Sequence, residues 1–501
     1  MLQQPADATV DAGQSASLCT AFGGTPPFSV QLNRWSGSEW TQIGSRVSFA
    51  DNSPACLSTP NLQVADNGAQ FVFSASNAEG GSTETMTRTA TVTVRAPAPV
   101  TGSSLVSRAT GGDIANDKSG GPSISADGKT IAFYSYATNL APGVGNRHGY
   151  VRNLVTGVTT MIDQLPNGGA PGEPISQMKL SGDGQHVVFS TLANGITPDD
   201  TNNARDVFVR NLQTGSTERV TVLADGSQLD RDPYVNGDMR IDISDDGRFV
   251  IFTYEYDFSS TGAAMDQMSL FVRDMDSHVT RIVHSHSSYS IASAALSGNG
   301  GFVAYEISLA YPYPANISVY NTQTFQTETV FTLNRSSTLE YFGTGLAISG
   351  DGRYVSFPLN SQPLFSSTAQ QMVVVDRNDP ATPIVASAGS AGSGVGTADG
   401  FNAYPKLSFD GRYVMFATHA SNITGGVANT SDWAVVVRDI QAQTTAVASR
   451  HSDGTPVRIY GIGGDWYAIS GDGNTVTFVA SPSDMGDDSN TEYQVYAGSR
   501  P

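Results

Sequence analysis

The sequence predicts an all-β protein, and three observations lead to this prediction. Glycine occurs 52 times among 501 residues, and many short runs rich in Val, Thr, Ser and aromatic residues lie between turn-forming residues, which is typical of short strands. No amphipathic run of helical period is longer than about two turns. A four-residue pattern, Ser-x-Asp-Gly, recurs seven times after residue 104, once with Asn in place of Asp. We therefore expect repeated β-structure over most of the chain.

The composition restricts the class of protein. An apolar content of 39% with 15% charged residues is typical of a globular chain with a sizeable core. The net charge of −19 disfavours nucleic acid and anionic membranes as partners, because a nucleic-acid binder needs a basic stripe. No apolar run approaches the roughly 18 residues of a spanning helix, and no basic and apolar leader opens the chain. We expect a globular monomer without a membrane span, in a sequence that lacks a signal peptide.

The two cysteines, Cys19 and Cys56, both lie in the first hundred residues, and the remaining four hundred contain none. Free thiols are a liability in oxidising compartments, so this avoidance favours an exported protein with one disulfide. The expected location is extracellular or periplasmic, in a bacterium. Two buried free thiols are the alternative.

The first region ends at a change of composition. The stretch "VRAPAPVTGSS" (94–104) reads as a linker because it combines Pro, Gly and Ser. We therefore predict a domain over 1–95, a linker over 96–103 and a second domain over 104–501.

Within the first region, "AGQSASLCTAFGGTPPFSVQL" and "ADNGAQFVFSASNAEGG" resemble bacterial immunoglobulin-like domains. Asp66 and Gly68 supply the turn before the penultimate strand, and Phe71 stands near the usual tyrosine-corner position. Phe73 occupies the place of the second inter-sheet cysteine, and Leu32 stands roughly at that of the core tryptophan. The resemblance implies a β-sandwich without the usual inter-sheet bridge.

The same resemblance bears on the cysteines. If strand B carries Cys19 and strand E begins at Cys56, the two are neighbours in one sheet and could be bridged across the strand pair.

The second region repeats one structural unit. The tetrads begin at residues 125, 181, 244, 297, 349, 408 and 470, in steps of 52 to 63 residues. Each is followed by a β-rich run with an aromatic residue, such as "TIAFYS" or "YVMFAT", and then by a second apolar run. Such a period with several strands is typical of a propeller or solenoid. We expect each Asp-Gly to form a two-residue hairpin turn with positive φ at both positions, and the Ser to accept a backbone hydrogen bond.

This pattern closely resembles the repeats of TolB-like β-propellers. The resemblance implies that the strand ending at each Ser is the innermost of a blade, that the next three step outward, and that seven blades form the ring. The last blade ends one strand short at residue 501, so we expect "SLVSRAT" (104–110) to complete it.

The candidate ligand site follows from this arrangement. No zinc spacing or nucleophile elbow is found in the sequence. In a propeller, however, residues that enter the innermost strands surround the mouth of the axial channel. The candidates are Lys118, Glu173, Asp230, Arg231, Asp232, Tyr234, Tyr341, Tyr404, Lys406, Asp465 and Trp466. Aromatic and charged groups together suit a sugar, a peptide or a cation, while ordinary solvated loop residues are the alternative interpretation.

A second candidate site is an acidic loop, "TPDDTNNARD" (197–206). Carboxylate and amide oxygens are the ligands that Ca²⁺ prefers, so Asp200, Asn202 and Asp206 could bind calcium. A turn-forming role alone also explains such a loop. We expect no cofactor to be required.

Two functions remain open at this point. The first is a secreted or periplasmic binding protein that recognises a protein or glycan with one face of the propeller. The alternative is a polysaccharide lyase or glycosidase with its site at the axial mouth. A lyase base and charge neutraliser could be Tyr234 with Arg231 or Tyr404 with Lys406. The two carboxylates of a retaining hydrolase could come only from Asp230, Asp232, Glu173 or Asp465.

Overall fold

The fold is known for most of the chain. The computed structural model describes residues 3–11, 15–51, 53–60, 62, 66–77, 85–95, 103–141, 146–223, 226–229, 239–256, 267–286, 291–307, 313–335, 341–360, 369–390, 396–428, 432–457, 459, 465–485 and 492–500. None of these residues lies in an α-helix, so the all-β prediction is confirmed, and no described helix is available to cross a membrane. The chain divides into two compact units, residues 1–99 and 100–501.

The first unit is a β-structure with one main sheet and one strand pair. Its described strands are β1 (Ala8–Asp11), β2 (Ser17–Thr20), β3 (Phe28–Trp35), β4 (Trp40–Phe49), β5 (Ala55–Ser58), β6 (Ala69–Asn77), β7 (Thr85–Met86) and β8 (Ala90–Arg95). The main sheet has the order β1-β8-β6-β3-β4, with β7 paired to β6, and β2 pairs with β5. Strand β1 runs parallel to β8, and the other pairs are antiparallel.

The core of this unit is apolar and is supported by one disulfide. Leu32, Phe71 and Phe73 are each at most 1% exposed. Cys19 lies directly opposite Cys56 in the β2–β5 pair, and the two form a disulfide with a Cα–Cα distance of 4.1 Å. Cross-linking residues this far apart in sequence stabilises the fold by about 3–4 kcal/mol in the chain-entropy treatment.

The second unit contains the remaining strands. They are β9 (Ser103–Leu105), β10 (Ser119–Ile124), β11 (Thr130–Ser135), β12 (His148–Asn153), β13 (Thr159–Met161), β14 (Ile175–Leu180), β15 (His186–Thr191), β16 (Asp206–Asn211), β17 (Thr217–Arg219), β18 (Ile241–Ile243), β19 (Phe249–Tyr256), β20 (Gln267–Asp274), β21 (Val279–His286), β22 (Ile291–Leu296), β23 (Phe302–Ile307), β24 (Ala315–Asn321), β25 (Thr327–Leu333), β26 (Tyr341–Phe342), β27 (Ala347–Ile348), β28 (Tyr354–Asn360), β29 (Gln371–Asp376), β30 (Asp379–Val385), β31 (Asn402–Leu407), β32 (Tyr413–Thr418), β33 (Ala434–Asp439), β34 (Thr444–Val447), β35 (Tyr467–Ile469), β36 (Thr475–Ala480) and β37 (Gln494–Ser499).

These strands form a β-propeller. Within the described residues they make antiparallel sheets in the orders β10-β11-β12-β13, β14-β15-β16-β17, β18-β19-β20-β21, β22-β23-β24-β25, β26/β27-β28-β29-β30, β31-β32-β33-β34 and β35-β36-β37-β9. An aromatic residue from the second strand of each sheet is at most 2% exposed. These residues are Phe133, Phe189, Phe252, Tyr305, Phe357, Phe416 and Phe478. Each sheet therefore contributes one large buried ring to the core between neighbouring sheets.

The Ser-x-Asp-Gly tetrads form the turns between the first and second strands. In the first, Ser125 Oγ donates to Asp127 Oδ1 at 2.7 Å and accepts the Thr130 N–H at 3.0 Å. The expectation of positive φ at both Asp and Gly is wrong for Asp, because of the tetrad residues only the glycines have positive φ, from 68° to 80°. The reason is that Ser125 N donates to Thr130 O at 2.9 Å and Gly128 N donates to Ser125 O at 3.0 Å, so the loop contains four residues, 126–129, and only its glycine is left-handed.

The tetrads also join the sheets to one another around the axis. In each step a backbone N–H of one tetrad donates to the carbonyl of the second residue of the next, at 2.7–3.0 Å. The last tetrad bonds to the first, since Asp472 N donates to Ala126 O at 3.0 Å. This ring of backbone hydrogen bonds fixes the inner strands around a common centre.

The chain completes its last sheet with an early segment. Strand β9 pairs antiparallel with β37, where Leu105 faces Tyr496. The strand covers Ser103–Leu105, so only residues 104 and 105 of the expected 104–110 stretch lie in it. Beyond it, Val106 N donates to Val495 O at 2.8 Å, and Ser107 Oγ donates to Gln494 Oε1 at 2.6 Å. The first and last parts of the second unit therefore share one sheet.

Candidate functional site

A cavity of the second unit lies on the propeller axis. It has a volume of about 470 Å³ and is lined by residues of the innermost strands β10, β14, β18, β22, β27, β31 and β35 and of the segments just before them. An axial cavity of this size is the default ligand site of a propeller.

One position of each inner strand forms a ring in this cavity. The residue two before each tetrad Ser faces the axis, because side chains alternate along a strand and the Ser fixes the register. The members are Ser123, Lys179, Asp242, Ala295, Ala347, Lys406 and Ala468. Four sheets present small side chains and three present charged ones, so the charges are concentrated on part of the wall.

Lys179 forms the only ion pair recorded between described cavity residues. Its Nζ lies 2.8 Å from Asp465 Oδ1, and the two side chains are 24% and 49% exposed. The Lys179 ammonium holds the pKa of Asp465 at about 2, against the opposing effect of burial. Burial works to lower the pKa of Lys179, but the attraction and hydrogen bond of Asp465 outweigh it and raise that pKa. Both groups are therefore charged over the physiological pH range.

Lys406 lies in the same cavity without such a partner. No carboxylate of the described residues is within ion-pair distance of its ammonium group. Burial, followed by repulsion from Lys179, lowers the pKa of Lys406 to about 8. Its charge is incompletely compensated, which is the electrostatic condition of a group that attracts an anion.

The third sheet supplies two further charged residues. Asp242 accepts the Leu296 N–H at 3.0 Å with Oδ2 and the Ile243 N–H at 3.0 Å with Oδ1. Burial nevertheless raises its pKa. Arg240 donates from Nη2 to Ala292 O at 3.2 Å. With Lys179, Lys406 and Arg240 against Asp242 and Asp465, three cations face two carboxylates, and the cavity has a net charge of +1 when Lys406 is protonated.

A backbone irregularity positions Lys406. Strand β31 has a bulge between Ala403 and Lys406, and Tyr404 has a φ of 53°, in the left-handed region. This conformation is uncommon for a bulky residue and persists only where the surroundings hold it. Tyr404 N donates to Thr344 O at 2.8 Å, and the Tyr467 hydroxyl donates to Tyr404 O at 2.6 Å. The bulge sets Tyr404 and Pro405 opposite a single residue of β32, and both Tyr404 and Lys406 line the cavity.

At the tetrad end of the channel, two sheets, the third and the sixth, present larger side chains than the others. The second tetrad residue is Gly or Ala in five sheets, but Asp245 and Phe409 in the other two. The Asp245 carboxylate lies over Gly182 and Gly298, and the Phe409 ring lies over Gly350. Burial raises the pKa of Asp245 to about 6. A ligand for the cationic wall therefore meets fewer obstacles from the opposite mouth.

The structure brings together only some of the predicted rim residues. Tyr404, Lys406 and Asp465 line the cavity, while Asp230, Arg231, Asp232 and Tyr234 lie outside the described residues.

The other predicted rim residues lie away from the cavity lining. Glu173 is in an exposed turn, and Tyr341 is 36% exposed in β26. Trp466 packs against Tyr493 at a centroid distance of 5.5 Å. Lys118 lies over the Tyr136 ring at 4.5 Å.

Sequence reasoning missed Lys179, Arg240 and Asp242. They lie within or just before the inner strands rather than in the loops that lead into them. Their distance from the tetrad Ser, two residues for Lys179 and Asp242 and four for Arg240, is a signal that could have identified them.

The acidic loop lies away from the axis and contains buried charges. Asp200 and Asp206 are 5% and 1% exposed. The Asn202 amide oxygen accepts the Ala204 N–H at 3.0 Å, and its Nδ2 donates to Leu229 O at 2.7 Å. No group of three or more His, Cys, Asp or Glu side chains suited to a metal ion is found in the part of the chain that the structure describes.

Comparison with known proteins adds to the evidence on fold. No protein-family profile and no curated protein matches the chain. Among solved structures, an oligogalacturonate lyase from Vibrio parahaemolyticus is 12% identical, with a TM-score of 0.50 over 80% of this chain and 93% of that one. At this identity the likeness shows a shared fold alone.

Two further structures are similar at lower scores. The β-propeller domain of the Trilobed protease from Pyrococcus furiosus is 12% identical, with a TM-score of 0.45 over 77% of this chain and 94% of that one. A putative TolB from Agrobacterium tumefaciens is 13% identical, with a TM-score of 0.35 over 68% and 94%.

Proposed function

We propose that this chain is a binding protein that holds the acidic end of a glycan in the axial channel of a seven-bladed TolB-like propeller, preceded by an immunoglobulin-like domain. The observation that carries the proposal is the cationic wall of the channel. Lys406 lacks an ion-pair partner among the described residues, and the cavity has a net charge of +1 in a chain whose net charge is −19. Electrostatics therefore concentrate an anion at this site.

The size and the lining favour a sugar acid. A cavity of about 470 Å³ accommodates one or two sugar rings. Small side chains on the fourth and fifth sheets, among them Ala295 and Ala347, leave room for a ring, while Arg240 and Gln177 offer hydrogen-bond donors to hydroxyl groups. A uronic acid combines the carboxylate that Lys406 requires with hydroxyls for these donors.

The test is calorimetric titration with digalacturonate and with its methyl ester, which lacks the negative charge. We expect binding of the acid that weakens with added salt, and at least tenfold weaker binding of the ester, since a hydrogen bond to a charged group contributes about 1.5–3 kcal/mol. Lys406→Met should weaken acid binding by a similar factor. Lys118→Met is the matched control, because Lys118 lies outside the cavity lining. Equal affinity for acid and ester would contradict the proposal.

The same site supports a second candidate function, a polysaccharide lyase. Its specific support is the pKa of Lys406, lowered to about 8, which leaves a fraction of neutral amine near neutral pH. In β-elimination the neutral Lys406 Nζ would take the proton from C5 of a uronate, a C4=C5 double bond would form as the C4–O bond breaks, and the departing sugar oxygen would take up a proton from water. Arg240 would neutralise the uronate carboxylate.

The unsaturated product absorbs ultraviolet light, so digestion of polygalacturonate can be followed directly. A lyase predicts a rate that rises with pH through about 8 and is abolished in Lys406→Met. Binding of digalacturonate without any absorbance increase would leave the binding function and exclude this reaction on that substrate.

The proposal includes a location outside the reducing cytoplasm, in the periplasm or the extracellular medium, and a monomeric state. The Cys19–Cys56 disulfide supports the location, because such bonds persist in oxidising compartments. Fractionation of the natural host with an antibody against the chain tests the first point, and light scattering of the purified protein tests the second.

A further inference from the structure

We propose that the loop 196–206 binds one calcium ion through the carboxylates of Asp200 and Asp206. This site lies on the second sheet and is independent of the ligand proposed for the axial channel. Buried oxygens of this loop lack hydrogen-bond donors among the described residues, and the charges around them do not balance.

Asp200 is the first of these groups. It is 5% exposed, and neither of its carboxylate oxygens has a hydrogen-bond partner among the described residues. The Gly195 N–H lies close enough to favour the ionised form, but no hydrogen bond of ordinary geometry joins the two. A buried carboxylate without donors is costly unless it is neutralised, because burial in a low dielectric disfavours the charge.

Asp206 lies beside it and is even less exposed, at 1%. Its Oδ1 accepts the Thr221 hydroxyl, Oδ2 has a long contact of 3.5 Å from Gln228 Nε2, and Asn202 also favours the ionised form of this carboxyl. Asp200 is close enough for its negative charge to act on the Asp206 carboxyl. Two like charges are thus held next to each other in a site with few donors.

The nearby arginines compensate this charge only in part. Arg219 donates from Nη1 to Asp199 O at 3.0 Å and from Nη2 to Asp199 Oδ2 at 2.8 Å. It makes no hydrogen bond to Asp200, although its charge still opposes the rise in the pKa of that carboxyl. Arg205 is also buried in the loop, at 8% exposed. Among the described residues, three carboxylates (Asp199, Asp200 and Asp206) lie near two guanidinium groups, which is a net charge of −1.

The remaining oxygens suit calcium better than magnesium. The Thr197 hydroxyl is 6% exposed and also has no partner among the described residues. Asp200 N donates to Thr197 O at 3.1 Å, which places both residues in one turn. Asn202, expected from the sequence to be a third ligand, uses its amide oxygen for Ala204 instead. Ca²⁺ accepts carboxylate and hydroxyl oxygens in irregular geometry, whereas Mg²⁺ demands a near-ideal octahedron and keeps several of its own waters, for which these buried side chains leave little room.

The experiment is a thermal-unfolding series on the full chain at pH 7.5, after chelator treatment and dialysis. We expect added CaCl₂ to raise the melting temperature by several degrees with half-saturation between about 10⁻⁴ and 10⁻³ M, the range of extracellular calcium sites, and MgCl₂ to do much less. Asp200→Asn should abolish the increase. Asp276→Asn is the matched control, since it removes an exposed carboxylate near Arg248 and should leave the calcium response unchanged.

Calorimetric titration of the wild-type chain with Ca²⁺ gives a readout that does not depend on any variant. One site per chain is expected. Absence of calcium binding up to about 10 mM, together with a higher melting temperature of Asp200→Asn than of the wild type, would overturn the proposal and show that a shared proton neutralises the two carboxyl groups. Equal responses to Ca²⁺ and Mg²⁺, unchanged in Asp200→Asn, would also overturn it.

Discussion

Two carboxylates of the second unit, Asp465 in the axial channel and Asp206 in the outer loop, respond to burial in opposite ways. The pKa of Asp465 is lowered to about 2, because Lys179 lies 2.8 Å away and its charge outweighs burial. The pKa of Asp206 is raised to about 6, because burial acts without a cation at contact distance. Whether a carboxyl in such a site stays ionised therefore depends more on the nearest opposite charge than on the loss of contact with water.

The comparison extends to what each region lacks. The channel has a complete pair, Lys179 with Asp465, and an additional cation, Lys406, so the missing charge is negative. The loop has a complete pair, Arg219 with Asp199, and additional carboxylates, so the missing charge is positive. Each region is expected to bind the ion that its own residues leave uncompensated.

Removal of one partner of the Lys179–Asp465 ion pair should cause the largest loss in the free energy of unfolding. Lys179→Met removes the partner of Asp465 and leaves its carboxylate in the channel. Loss of one partner of a fully buried pair costs about 3–5 kcal/mol, and we expect about 1–3 kcal/mol here because the Asp465 side chain is 49% exposed to the cavity. Urea unfolding at pH 7 measures the change.

The matched control is the double variant Lys179→Met with Asp465→Asn, which removes both charges together. It should recover most of the lost free energy of unfolding. If the double variant is as unstable as the single one, the loss comes from packing of the lysine stem, and the electrostatic account of Asp465 is wrong.

How far the sequence determines this site is clear from particular residues. The tetrads mark where each inner strand ends, so the sheets and the axial position of Tyr404, Lys406 and Asp465 could be predicted. Lys179 could have been found by counting back from Ser181, since that distance recurs in every sheet.

The pairing of Lys179 with Asp465 could not be predicted in the same way. The two residues lie on the second and seventh sheets, and the bulges in β14 and β31 shift the alternation by amounts that the sequence does not mark. Likewise, nothing in the sequence distinguishes Trp466, which packs against Tyr493, from a residue that faces the channel. The turns can be predicted from local sequence patterns, whereas contacts across the axis depend on the strand register, which those patterns do not specify.

A smaller change in the free energy of unfolding is expected for a variant of the loop, and this change is an increase. In calcium-free buffer Asp206→Asn removes a buried charge but keeps an oxygen for the Thr221 hydroxyl, so stability at pH 7.5 should increase by about 1–2 kcal/mol. Since the folded pKa of about 6 exceeds the unfolded value, the wild type should lose stability as pH rises from about 4 to about 6. That decrease should be smaller in the variant.

Asp245 provides the internal comparison for this measurement, because burial raises its pKa to about 6 as well. Part of the decrease between pH 4 and pH 6 should therefore persist in Asp206→Asn and disappear only when Asp245→Asn is added. A variant that is less stable than the wild type across the whole pH range would contradict the assignment of a destabilising charge to Asp206.

The smallest change in stability is expected for Lys406, where a cation rather than a carboxylate is uncompensated. Its folded pKa of about 8 lies below the value of about 10.4 for an unfolded lysine, so the wild type should gain stability as pH rises from about 8 to about 10. Lys406→Met should lack this gain and be more stable than the wild type at pH 7 by about 1 kcal/mol or less, because cavity water screens the charge. Thermal unfolding from pH 7 to pH 10 measures both effects. If Lys406→Met is instead less stable at pH 7, the lysine stabilises the channel wall, and the additional positive charge is not available to a ligand.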